Sequence, residues 1–180
     1  MSINFKSIVQ KLLLAVCFFH SVLLFSQEIP KGYRSIQLGM TVDEVKGALT
    51  SDSLFGYRGE RDVSLLPDQK QVLIETEGSS FLARCWFQFN DQKLYTITIT
   101  MNEQIMDYYS VFKTLFDKYG QPSSLSPDIV VWEGRGIRMS LERPLTLKYL
   151  DTEVYTELLQ SSQTNQSAAE ISRQKFLESF

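Results

Sequence analysis

Few residues in this 180-residue chain have the side chains that enzyme active sites most often use. The chain contains one histidine and two cysteines, and both His20 and Cys17 lie near its N-terminus. Removal of that segment would leave Cys85 as the lone cysteine and no histidine. A Ser-His-Asp triad, a Cys-His dyad, a histidine metal site and an internal disulfide all need residues that such a chain lacks. We therefore expect no cofactor and no metal.

Two carboxylates are the remaining pair with catalytic potential. Glu75 and Glu77 alternate along the predicted strand 72–77, so both project from one face of it. Paired carboxylates hydrolyse glycosidic bonds when they flank a cleft. Nothing in the neighbouring sequence indicates a cleft. We therefore expect a protein that is not an enzyme, with a carboxylate-dependent hydrolase as an alternative.

Residues 1–26 have the three parts of a secretory signal peptide. Lys6 and Lys11 form a basic start, residues 12–25 form an uncharged apolar run, and polar residues follow. The run is short for a membrane-spanning helix, which needs about 20 residues. Cleavage after Ser26 would export the rest of the chain to the periplasm or cell envelope, without an integral membrane span.

A retained leader and a lipid anchor are the alternatives to this cleavage. Leu14-Ala15-Val16-Cys17 is similar to a lipobox that ends in the acylated cysteine. Val16 stands where that box usually has a small residue, and the eight residues after Cys17 stay mainly apolar. These two departures favour a signal peptide.

The charge of the exported part is unfavourable for binding nucleic acid. Residues 27–180 carry 16 basic and 21 acidic side chains, a net charge of −5. No basic stripe stands out along the sequence, so we expect no nucleic-acid partner. The length fits one domain with a full core.

Apolar periodicity predicts an α+β fold. Helices are expected at 42–49 and 107–119. The predicted strands are 72–77, 81–89 and 94–101 after the first helix, and 129–133, 137–142 and 145–150 after the second. We predict two successive helix-plus-three-strand antiparallel units, with the helices packed on one face of the sheet.

The chain is expected to form one domain over 27–160, with possible tandem halves at 35–101 and 107–150. A third helix begins near Thr152. Residues 161–180 are expected to be a polar linker, loop-like over 161–167, followed by an amphipathic segment.

The predicted helix ends have clear capping signals. Thr41 and Glu44 have the spacing of a capping box, and Met40 and Val45 flank it as a hydrophobic staple. At the second helix, Asp107 is the expected N-cap. Gly120 follows the last turn as a C-terminal stop.

The second predicted strand supplies two candidate binding residues. Strict alternation assigns Cys85 to a buried face with Phe81, Ala83, Phe87 and Phe89. Leu82, Arg84, Trp86 and Gln88 share the opposite face. Arginine and tryptophan on a mainly polar face are typical of binding hot spots.

Residues 50–71 form a long connection that supplies the other candidates. Its apolar anchors, among them Phe55 and Tyr57, predict an ordered loop. The full set of candidate partner-binding residues is Tyr57, Arg58, Arg61, Asp62, Arg84 and Trp86. Two other interpretations stay open: the loop charges pair with one another at the surface, or the loop folds over Trp86 and buries it.

Two short motifs resemble those of known envelope proteins. The stretch Leu38-Gly39-Met40-Thr41-Val42-Asp43-Glu44-Val45 resembles the helix entry of the small lipoprotein of the β-barrel assembly machine and of the tandem α/β fold of β-lactamase inhibitor proteins. The helix end at 115–122, followed by Trp132, is similar to that of exported proteins of unknown function. This resemblance implies a non-catalytic module that binds another envelope protein. Binding of a small apolar ligand between sheet and helices is an alternative.

Overall fold

The computed structural model describes residues 28–65 and 71–178, and the backbone alone at 163–172. In chain order the elements are β1 (Gly32–Tyr33), β2 (Ile36–Gln37), α1 (Val42–Ser51), β3 (Val63–Leu65), β4 (Gln71–Glu77), β5 (Leu82–Asn90), β6 (Lys93–Met101), α2 (Tyr108–Tyr119), β7 (Ser124–Leu125), β8 (Ile129–Gly134), β9 (Ile137–Glu142), β10 (Thr146–Asp151) and α3 (Thr152–Leu177). The predicted signal peptide and the lipobox at Cys17 lie outside the described residues.

One antiparallel sheet of eight strands organises the protein. Its strand order is β3-β4-β5-β6-β10-β9-β8-β7, and β1 and β2 form a separate two-stranded sheet. The prediction of two successive helix-plus-three-strand units is therefore wrong. Four strands lie on each side of the centre, where β10 pairs with β6 from Thr146 opposite Thr100 to Leu150 opposite Thr96. The pairing occurs because each strand would otherwise expose a row of unpaired backbone groups.

The six long strands lie within a residue or so of their predicted positions, whereas the short ones were missed. The edge strands β3 and β7 have three and two residues. Segments this short have too few positions to show an alternating pattern.

One face of the sheet is the core. Cross-strand partners point to the same side, so the register assigns most of the buried apolar residues of six strands to one face. They are Val72, Ile74, Cys85, Phe87, Phe89, Ile97, Ile99, Leu147, Tyr149, Met139, Leu141, Val130 and Trp132. Val45 and Leu49 of α1 and Val111 and Leu115 of α2 belong to the same cluster. The opposite face is covered by neither α1 nor α2, and we call it the open face.

The pairing of β5 with β6 has two irregularities. Because of them, strict alternation assigns some side chains to the wrong face of the sheet. The register shifts between Leu82 and Arg84, so Leu82 is buried and Phe81 is 55% exposed, the reverse of the prediction. At a second shift, between Gln88 and Phe89, Tyr95 is an extra residue on β6 with no partner on β5. An extra residue on one strand reverses the alternation beyond it. Strict alternation therefore fails at both ends of this pair.

The predicted helix starts are confirmed. Thr41 accepts a hydrogen bond from the Glu44 backbone N–H, and the Glu44 carboxylate accepts one from the Thr41 backbone N–H at 2.7 Å. The Thr41 backbone hydrogen bond holds the pKa of Glu44 below its usual value. At α2, Asp107 accepts from the Ser110 N–H at 2.9 Å. These caps satisfy donors that have no partner within the helix.

Helix α3 differs from the sequence prediction. It starts at Thr152 as expected, with Asp151 accepting from the N–H groups of Glu153 and Val154. It then continues without a break through 161–167, where we predicted a polar loop. That stretch contains neither glycine nor proline, so no residue in it stops a helix that is already capped. Among the described residues, each helix is too short or too polar to cross a bilayer.

The long connection after α1 is ordered by one aromatic side chain. Phe55 is fully buried, with its ring 6.2 Å from that of Tyr33 and 5.8 Å from that of Phe87, both edge-on. Gly56 has φ 57°, and a Cβ there would lie 2.3 Å from the Glu77 carbonyl oxygen. The connection between α1 and β3, residues 52–62, is thus held against the core face and the end of β4. This confirms the prediction of an ordered loop up to residue 65.

Phe55, which we call the loop anchor, gives a first prediction. We expect Phe55→Ala to lower the free energy of unfolding by about 3–5 kcal/mol, because it removes a buried ring and leaves a cavity. Leu65→Ala is the control, since Leu65 follows in the same connection and is 72% exposed. It should change stability by less than about 0.5 kcal/mol. Urea unfolding of both variants makes the measurement, and equal effects would contradict the assigned anchor.

The buried thiol gives a second prediction. Cys85 is fully buried, and desolvation raises the pKa of its thiol to about 12. The thiolate is the reactive form, so labelling of Cys85 by a thiol reagent should stay slow in the folded protein from pH 7 to pH 10. In urea the thiol becomes exposed, and its labelling rate should rise steeply through about pH 8.5. Fast labelling of the folded protein would contradict this burial.

Candidate functional site

The open face presents a row of side chains that crosses six strands. Glu75 lies opposite Trp86, Trp86 opposite Thr98, and Thr98 opposite Lys148. The row continues through Ser140 and Val131. These residues come from both halves of the chain, so the β6–β10 pairing assembles the row.

A groove of about 510 Å³ runs along this face. Its lining combines aromatic, aliphatic, hydroxyl and charged side chains. They are Trp86, Gln88, Tyr95, Thr96, Thr98, Ile129, Val131, Arg138, Ser140, Glu142, Lys148, Leu150 and Tyr155. Tyr155 belongs to the first turn of α3 and is 40% exposed, so the start of that helix forms one side of the groove. The volume is in the range of about 300–1,000 Å³ typical of small-molecule sites.

The charged groups of the groove are paired within the protein. Lys148 Nζ lies 3.3 Å from Glu142 Oε2, and the Ser140 hydroxyl donates to Glu142 Oε1 at 2.8 Å. Arg138 Nε lies 2.5 Å from Glu133 Oε1. Each positive side chain thus has a carboxylate partner, and these pairs leave the groove without excess charge.

A second group of charges lies where the loop meets β4. Arg58 donates to Asp62 through its backbone N–H at 2.8 Å and through Nε at 2.9 Å. Asp62 is 4% exposed, so the pair fixes the loop backbone, and the Asp62 hydrogen bond raises the pKa of Arg58. Arg58, Arg61, Asp62, Ser64, Glu75 and Glu77 line a small pocket of about 120 Å³. We call this set the charged corner.

Arg84 and Trp86 connect the charged corner to the groove. Arg84 Nη1 lies 3.2 Å from Glu75 Oε1, and the guanidinium carbon lies 5.9 Å from the centroid of the Trp86 ring. The loop anchor Phe55 packs on the opposite face, against Phe87. Trp86 therefore lies half-buried beside the groove and is not covered by the described part of the loop.

The structure brings five of the six predicted candidates onto one continuous surface. These are Arg58, Arg61, Asp62, Arg84 and Trp86. Tyr57 does not join them, because it packs half-buried against the hydrophobic core. Asp62 joins as a buried anchor and offers little surface of its own.

Sequence reasoning missed the other half of the site. The alternation in strand 137–142 already separated Arg138, Ser140 and Glu142 from the core residues. Nothing in that pattern indicated that these side chains would face the same groove as Trp86. That placement depends on the β6–β10 pairing.

The carboxylate pair Glu75 and Glu77 occupies the charged corner. Both project from the same face of β4, as predicted, and Glu75 pairs with Arg84. Within the described ranges, no group of three or more His, Cys, Asp or Glu side chains is arranged to hold a metal ion.

Comparison with known proteins gives a family and no closer relative. No curated protein and no solved structure matches the chain. Resemblance to the assembly-machine lipoprotein or to β-lactamase inhibitor proteins is therefore unsupported. The TP0088 domain matches residues 31–161, which include the eight-stranded sheet, α1, α2 and the first part of α3. Since this match covers well over half of the sequence, the chain belongs to the TP0088 domain family.

Proposed function

We propose that this chain is an exported cell-envelope protein that works as a non-catalytic binding or assembly module, with a protein partner on its open face. The observation that carries the proposal is the surface formed by the charged corner, Arg84 and Trp86. Arginine and tryptophan are enriched among the residues that dominate binding energy. The open face offers both, outside the packed core.

The geometry of this surface suits recognition by rigid groups. The side chains of Arg58 and Arg84 are 55% and 50% exposed, and each is held by a carboxylate. Held side chains lose less conformational entropy when a partner binds. The pocket beside Glu75 and Glu77 is about 120 Å³, small against the roughly 300–1,000 Å³ of most substrate sites. This size supports binding by surface contact over hydrolysis.

Export is supported by the sequence of residues 1–26 alone. The basic start, apolar run and polar end have the order of a signal peptide. An envelope location also suits a protein whose surface presents a recognition face and whose predicted mature part has a single buried thiol.

Small-ligand binding is a second candidate function, favoured by the groove. Its volume of about 510 Å³ and its three aromatic rings are features of small-molecule sites. The groove lies on the open face, whereas the sequence suggested a ligand between sheet and helices. Protein and ligand binding would share Trp86.

Site-specific crosslinking tests the protein-binding proposal. We expect a photo-crosslinking residue at position 58, 84 or 86 to capture one dominant envelope protein in intact cells. The same residue at position 109 is the control, because Tyr109 is 69% exposed on α2. Equal capture at all four positions, or no capture at the three open-face positions, would refute the proposed face.

The intact mass of the native protein tests the proposed export. We expect a chain that begins at Gln27, because cleavage follows Ser26. A lipid mass on Cys17 would show an anchored protein, and an intact Met1 would show a retained leader. Either result would overturn this cleavage.

A further inference from the structure

The chemistry of the groove identifies a class of ligand that the protein-binding proposal does not include. Three aromatic rings border it: Trp86 and Tyr95 from the sheet and Tyr155 from α3. Trp86 and Tyr95 are half-buried and Tyr155 is 40% exposed. Broad flat rings of this kind offer apolar contact to a flat C–H surface at low entropic cost.

The floor between the rings contains polar side chains that carry no charge. Their hydrogen-bonding groups have no partner among the described residues. Thr96 is 4% exposed and lines the groove, yet its hydroxyl has no hydrogen-bond partner among the described residues. The side chains of Thr98 and Gln88 also line it without a partner in the described part of the protein. The Thr96 oxygen still reaches the groove, since among the described residues Thr76 Oγ1 is the fully buried side-chain oxygen that has no partner. These three side chains can therefore serve an incoming donor or acceptor.

The ion pairs at the groove make a strongly charged ligand unfavourable. Lys148 is matched by Glu142 and Arg138 by Glu133. A carboxylate or phosphate would have to compete with these side chains, and a cation would have to compete with Lys148 and Arg138. A wholly apolar ligand fits poorly as well, because it would cover the Thr96 hydroxyl without offering it a hydrogen-bond partner.

A sugar has both properties that the groove requires, flat C–H faces and uncharged hydroxyl groups around them. We propose that the groove binds a neutral oligosaccharide, with Trp86, Tyr95 and Tyr155 against the sugar faces and Thr96, Thr98 and Gln88 bonded to the sugar hydroxyls. The volume has room for a short chain of sugars. This inference does not rest on the proposed protein partner, although both use the open face.

Binding of defined oligosaccharides to the purified native protein tests the inference. The neutral probes are cellohexaose, maltohexaose and N-acetylchitohexaose, and the charged comparators are hexagalacturonate and the chitosan hexamer. Calorimetry should show saturable binding of a neutral probe, with an affinity unchanged when the salt concentration is raised. Charge-driven binding would weaken with salt.

Tryptophan fluorescence reports on the groove itself, because the chain has two tryptophans. Trp132 is buried on the core face and donates its indole N–H to the Gly120 carbonyl oxygen at 3.0 Å. A bound sugar should therefore protect Trp86 from acrylamide quenching and leave Trp132 unchanged. In Trp86→Phe this signal should disappear while calorimetric binding persists, since a ring remains.

Variants decide whether the groove is the site. Trp86→Ala and Tyr155→Ala should each weaken neutral-probe binding by about tenfold or more. Thr96→Val keeps the shape of the side chain and should weaken it by about three- to tenfold. Tyr109→Ala is the matched control, since it removes an equally large but exposed ring from α2, and it should have no effect.

Three outcomes would overturn the inference. They are no binding of any neutral probe, tighter binding of a charged comparator, and neutral-probe binding that Trp86→Ala and Tyr155→Ala leave intact. Capture of a protein by a crosslinker at position 155, without sugar protection of Trp86, would assign the groove to a polypeptide. Crosslinks at positions 58 and 84 need no sugar, so failure of the saccharide inference is distinguishable from failure of the protein-binding proposal.

Discussion

The antiparallel pairing of β6 with β10 is the interaction on which the rest of the structure depends. It joins residues 96–100 to residues 146–150, about 50 positions apart in the sequence. On the core face it sets Ile97 beside Tyr149 and Ile99 beside Leu147. On the open face it sets Thr98 beside Lys148. Without this junction, each four-strand half would leave a central strand with an exposed edge.

The core face explains why the loop and helices take their places. Phe55 from the loop, Val45 and Leu49 from α1, and Leu115 from α2 all enter one cluster. Trp132 adds a directional contact, because its indole N–H bonds to the carbonyl oxygen of Gly120 at the end of α2. Burial of apolar surface therefore draws these elements to one side. The opposite side of the sheet stays accessible.

The accessible side combines features that packing alone does not require. Trp86, Tyr95 and Tyr155 expose aromatic surface around a polar floor, and the neighbouring ion pairs balance its charge. Arg84 links this groove to the charged corner by its contacts with Glu75 and Trp86. Both proposals therefore place the binding site on the open face.

The sequence by itself determined the local structure. The Thr41–Glu44 capping box, the Asp107 cap, the six long strands and the burial of Cys85 all follow from neighbouring residues or from alternation. Their causes act within a few positions, so a sequence pattern records them. Five of the six candidate binding residues, all but Tyr57, lie on one continuous surface, although the sequence pattern did not show that Asp62 is buried there.

Only the tertiary structure decided how these elements combine. The single eight-stranded sheet, the burial of Leu82, the extra residue Tyr95, and the groove between Trp86 and Tyr155 arise from strand pairing. Backbone hydrogen bonds between strands are alike for every residue type except proline, so sequence alternation does not reveal which edges meet or where an extra residue interrupts them. The continuous course of α3 is a different case, because its polar residues neither require nor forbid a helix, and it follows locally from the Asp151 cap and the lack of glycine and proline in 161–167.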